Sequence, residues 1–108
     1  MSGRLASMFP LGRFRIEDDS MRPTLGPGDF VVVNRWAYRL RPPVTGDVVV
    51  MSDPERAERF LVKRIAATRE PSRIDVMGDN AARSRDSRAF GPVRADRIVG
   101  KVWLRLRQ

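Results

Sequence analysis

A serine with a lysine is the pair of residue types that could carry hydrolytic chemistry in this chain, and Ser20 and Lys63 are candidates for it. A serine hydroxyl is a weak nucleophile until a base removes its proton. The base cannot be histidine, because the 108 residues include none, and they include no cysteine either. That composition excludes a Ser-His-Asp triad, a thiolate nucleophile, disulfides and cysteine-based zinc or iron–sulfur sites. A carboxylate, a lysine or a terminal amine remains. Arginine stays protonated in proteins, whereas a buried lysine can lose its proton and act as a base. Of the 21 basic residues 19 are arginine, so the two lysines, Lys63 and Lys101, deserve separate placement.

Lys63 lies in Phe60 to Ala67 (FLVKRIAA), a run of strand character. Period-two alternation puts it on one face with Leu61 and Ile65. Two readings stand for such a lysine: its tip snorkels to water, or desolvation lowers its pKa toward that of a working base. Lys101 alternates with arginines on a polar face and reads as solvated. Ser20 stands in Asp19-Ser20-Met21-Arg22-Pro23-Thr24-Leu25, where Pro23 fixes its own φ and stiffens the turn. A serine there reads as a turn former or as a held nucleophile, and Lys63 is then its obvious base. A third stretch, Gly78 to Arg88, is a polar loop followed by Phe90-Gly91-Pro92-Val93, with Asp86 and Arg88 expected to pair across it. It is long for a hairpin connection, and long ordered loops often serve a site.

The elements that must position these residues are short strands. Phe30 to Asn34, Asp47 to Met51, Phe60 to Ala67, Arg73 to Met77 and Ile98 to Leu106 are separated by Gly- and Pro-containing turns. The last run predicts one apolar face made of Ile98, Gly100, Val102, Leu104 and Leu106. Asp53 to Arg59 reads as a helical turn or an exposed loop tip. The pattern predicts a mostly β single domain over residues 17–108, preceded by a flexible arm at residues 1–16. No window approaches 18 consecutive apolar residues. Met8, Phe9 and Leu11 are candidates for peripheral membrane contact. The net charge of +8 is spread from Arg4 to Arg107 and broken throughout by Asp and Glu, with only eight aromatics. It reads as arginine-rich surface and not as a nucleic-acid site.

Four blocks, taken in order, resemble the S26 serine peptidases, the signal peptidase I clan with its Ser/Lys dyad. They are Ser20 to Leu25, Gly46 to Val50, Val62 to Ile65, and Gly78-Asp79-Asn80 with Ser84, Asp86, Ser87 and Arg88. The resemblance implies a signal peptidase/LexA-like core of short, coiled antiparallel strands. It implies Ser20 as nucleophile, Lys63 as general base and Ser84 as the hydroxyl orienting the lysine. Asp86, Arg88 and Arg64 match a charged cluster behind the site, and the Ser20 N–H matches an oxyanion donor. Asp18 departs from the pattern, since many signal peptidases carry Ser, Thr or Gly there and an ionised carboxylate cannot donate to an oxyanion. Met21, Pro23, Val31 and Val33 are expected at the substrate.

The compact Gly78 to Val93 block and Val99-Gly100-Lys101-Val102 further resemble the nickel-type superoxide dismutase maturation proteases. That implies a cytoplasmic enzyme needing no cofactor or metal, whose partner is a precursor protein with an N-terminal leader. The competing expectations are a general leader peptidase without its membrane anchor, a self-cleaving repressor-type domain of the same clan, and a non-catalytic leader-binding module.

Overall fold

The computed structural model describes residues 10–106. Seven strands form a single sheet in the order β1-β2-β7-β3-β4-β5-β6, every neighbouring pair antiparallel. They are β1 (Leu11–Arg15), β2 (Phe30–Asn34), β3 (Val48–Asp53), β4 (Arg56–Arg69), β5 (Arg73–Met77), β6 (Val93–Arg94) and β7 (Ile98–Leu106). The only α-helix among the described residues is one turn, Ser87–Phe90. The mostly β expectation is met. No helix among the described residues is long and apolar enough to cross a membrane.

Strand alternation makes two apolar clusters. Ile16, Met21, Leu25, Val31, Val33 and Val50 form one; Val49, Met51, Ile65, Ile74, Val76 and Val93 form the other. Val49 and Val50 are adjacent on β3 yet belong to different clusters, as the pleat requires. The chain entering the Ser20 turn and the turn itself are thus fixed by Ile16, Met21 and Leu25 in the first cluster. Gly28, at φ 90°, closes the connection to β2, its N–H donating to Ile16 O at 2.9 Å.

Several expectations change here. Residues 1–9 lie outside the described residues, and with them Met8 and Phe9, but Leu11–Arg15 of the expected arm is a strand paired with β2. Leu11 is half-exposed on it. Asp53 to Arg59 is not helical: Asp53 ends β3, a tight turn follows, and β4 begins at Arg56 and runs 14 residues. The single apolar face of β7 is divided by two register shifts. Val33 pairs with Val102 but Val32 pairs with Leu104, so one extra residue, Trp103, turns Leu104 and Leu106 away from the core. A second shift at Val99 puts Ile98 against the second cluster while Val102 packs on the first.

Candidate active site

Ser20 opens a tight turn in which Arg22 N–H donates to Asp19 O at 3.1 Å and Leu25 N–H to Met21 O at 2.9 Å. Its residue is 4% exposed, low for a serine in a connecting segment. Two bonds reach the turn from the loop after β5: Asn80 N–H donates to Ser20 O at 2.8 Å, and Asn80 Nδ2 donates to Asp19 O at 3.0 Å. The Ser20 N–H itself donates to Asp18 Oδ1 at 3.0 Å. Ser20 and Lys63 line one cleft of about 60 Å³, between residues 15–21 and residues 60–63 of β4.

Lys63 is 2% exposed, in register with Val49 and flanked on its face by Leu61 and Ile65. Of the two sequence readings, burial holds and snorkelling does not. Burial pushes its pKa down, as do Arg85 and Arg88, against the opposing pull of Asp18 and Asp86. Lys63 Nζ donates to Ser84 Oγ at 2.9 Å, and Ser84 Oγ donates to Asp86 Oδ2 at 2.6 Å. A hydroxyl has one proton. With that proton directed at Asp86, Ser84 can only accept from the lysine, which fixes where one N–H of the amine points.

Asp86 anchors the chain of bonds. Its side chain is fully buried and takes a bidentate Arg88 guanidinium, from Nε to Oδ1 at 2.9 Å and from Nη2 to Oδ2 at 2.7 Å. The Gly78 N–H adds a bond at 2.8 Å. Burial alone would raise this carboxyl's pKa, but Arg88, Ser84 and the backbone donors together hold it well below the usual carboxylate range. Gly78 has no room for a side chain: a Cβ would lie 2.2 Å from Ser84 Oγ and 2.6 Å from Ser20 O.

A second charged unit ties the blocks together. Arg64 grips Asp79 with Nε and Nη2, both at 2.8 Å, and reaches Gly46 O with Nη1 at 2.9 Å. Asp79 also accepts from Thr24 Oγ1 at 2.6 Å. Residues 24, 46, 64 and 79, one from each sequence block, therefore meet in one hydrogen-bonded unit. Arg64 braces the Ser20 turn through Asp79 and is separate from the Asp86–Arg88 pair.

The model of the family described as "Signal peptidase, peptidase S26" matches residues 3–69 and 70–106. The chain belongs to the S26 signal peptidase family. It is 33% identical to the mitochondrial ATP-independent inner membrane protease subunit 1b of Arabidopsis thaliana, over 81% of this chain and 64% of that protein. It is 31% identical to signal peptidase I of Pseudomonas aeruginosa, over 82% and 33% respectively. The mitochondrial inner membrane protease subunit 2 of Danio rerio is 30% identical, over 82% and 60%. The chain thus covers 33 to 64% of the length of these three relatives.

Within this S26 domain the structure gathers Ser20, Lys63, Ser84, Asp86 and Arg88 around one cleft and its rear wall. Two of the expected substrate contacts, Val31 and Val33, need correction. Val31 and Val33 have no exposed surface and belong to the first apolar cluster, because β2 turns their side chains inward. Met21 lines the cleft while buried in the same cluster. Pro23 is exposed and lines a neighbouring groove with Val48, Val102 and Trp103. The walls that sequence reading missed are Arg15, Ile16, Glu17, Phe60, Leu61 and Val62. Leu61 was in view only as a neighbour of Lys63, and Thr24 carried no signal beyond its place in the first block.

Proposed function

We propose that this chain is a serine endopeptidase in which Ser20 and Lys63 remove a short N-terminal leader from a precursor protein. The observation that carries the reading is the buried Lys63 amine, held by Ser84 and lining the same cleft as Ser20. Neutral Lys63 takes the Ser20 Oγ proton as that oxygen attacks the scissile carbonyl carbon. The resulting ammonium protonates the departing amine when the C–N bond breaks, leaving an acyl ester on Ser20. Lys63, neutral again, deprotonates the water that attacks the ester, and the ammonium returns that proton to Ser20 Oγ as the ester C–O bond breaks. The narrow cleft admits a small side chain beside the scissile bond.

The precursor we propose is a nickel-type superoxide dismutase, processed in the cytoplasm. The support is the residue pattern Gly78-Asp79-Asn80, Ser84, Asp86 to Arg88, Phe90-Gly91 and Val93. The names of the relatives, signal peptidase I and inner membrane protease subunits, favour a second reading, a general leader peptidase. Incubation of wild type, Ser20→Ala and Lys63→Ala with the dismutase precursor and with a secretory precursor, followed by intact mass, tests both. Cleavage of the dismutase precursor alone supports the narrower reading, and cleavage of the secretory precursor supports the broader one. Binding without cleavage by wild type overturns the enzyme in favour of a leader-binding module.

A further inference from the structure

An oxyanion hole works by aiming N–H donors at the oxygen that gains charge in the transition state, with donor–oxygen distances of about 2.7–3.1 Å. Resting on the Ser20/Lys63 reading above, the donor nearest the reacting atom is the Ser20 N–H. In this structure that N–H already has an anionic oxygen on it: Asp18 Oδ1, at 3.0 Å. A carboxylate oxygen has the charge and acceptor character of the oxyanion itself, and one N–H cannot serve both. Asp18 is also a wall of the cleft that holds Ser20 and Lys63, and it is exposed to solvent.

We propose that the Asp18 carboxylate is a built-in occupant of the oxyanion site, which an entering scissile carbonyl must displace before Ser20 can react. Its exposure makes the movement cheap, because the carboxylate regains water when it leaves. The same movement acts on the base. Where Asp18 sits, its charge favours the Lys63 ammonium and opposes the effect of burial. Once it swings away, the neutral amine is favoured and the Ser20 N–H is free, so one rotation readies both halves of the site. A hydroxyl at this position would instead add a donor to the oxyanion.

The test uses the acylation rate with p-nitrophenyl acetate, which needs no knowledge of the natural substrate. Asp18→Ala and Asp18→Ser are expected to react at least tenfold faster than wild type, with Asp18→Ser the faster of the two. Affinity for an alanyl peptide aldehyde, which forms a tetrahedral adduct with serine, is expected to rise at least tenfold in both variants. Affinity for the matching peptide alcohol, which forms no adduct, stays within twofold; a merely structural role for Asp18 would not separate the two ligands. Ser20→Ala serves as the control. If it is inactive while both Asp18 variants are no faster than wild type, the proposal for Asp18 falls and the Ser20/Lys63 reading stands. If it acylates as fast as wild type, both fall.

Discussion

Lys63 Nζ stands 2.9 Å from Ser84 Oγ and must be the donor, because the serine proton points to Asp86 Oδ2 at 2.6 Å. Ser84 is therefore a positioning residue for the proposed base. Ser84→Ala removes the acceptor without touching Ser20, and kcat is expected to fall about ten- to a hundredfold, in the range of a misplaced catalytic group. KM should move less than threefold. Ser84→Thr restores the oxygen and should recover most of kcat in steady-state kinetics on a cleaved peptide.

Only the neutral Lys63 amine accepts a proton, so kcat/KM should rise with pH along a limb lying below the ordinary lysine value of about 10.4. Lys63→Arg keeps the charge and should lose activity at least a hundredfold at every pH. Stability carries the same signature. Between the lowered folded value and about 10.4 the unfolded chain binds more protons than the native one, so Lys63 makes stability rise with pH through that window. Lys63→Met should abolish this slope in thermal melts recorded against pH.

Asp86 makes stability rise with pH as well, but at the acid end of the range. Its folded pKa is depressed, so its contribution is fully present above the unfolded value of about 3.9 and is lost as pH falls toward the folded one. Asp86→Asn keeps the shape but cannot accept from Arg88 at both positions while also accepting from Ser84 and Gly78. Thermal melts should show a lower Tm near neutral pH and a flatter loss in acid than wild type.

Much of this architecture is legible in the residues, and the reasons it stops being so are local. Phe30–Asn34 and Arg73–Met77 alternate cleanly and fall where the structure has β2 and β5. Alternation also put Lys63 beside Leu61 and Ile65, but only tertiary packing decides whether a long side chain reaches water. Leu104 and Leu106 misled for a different reason. A bulge at Trp103 adds one residue, and a single-residue shift exchanges the faces of a strand. The Asp18 carboxylate on the Ser20 N–H is a matter of side-chain rotamer, which no spacing rule encodes.

Val33 separates the core from the cleft experimentally. It has no exposed surface and packs in the cluster that holds Met21 and Leu25. Val33→Ala removes two methyl groups and leaves a cavity, a loss of about 2 kcal/mol. Denaturant unfolding should show that loss while KM stays within twofold. Leu61→Ala, in the cleft wall, should raise KM at least fivefold.

Gly78 joins the two halves of the site through the space it leaves empty. The loop after β5 passes so close to the Ser20 turn that an added Cβ would meet Ser20 O at 2.6 Å, with Ser84 Oγ still closer at 2.2 Å. Neither neighbour can yield freely. Ser20 O already accepts from Asn80 N–H, and Ser84 Oγ is held between Lys63 and Asp86. In Gly78→Ala the loop must therefore retreat from the turn, at a cost of about 1–3 kcal/mol. The retreat lengthens the Lys63–Ser84 contact or the Asn80–Ser20 contact, and kcat should drop at least tenfold in a protein that still folds. A Gly78→Ala variant with wild-type Tm and wild-type kcat would show that the loop does not hold the turn.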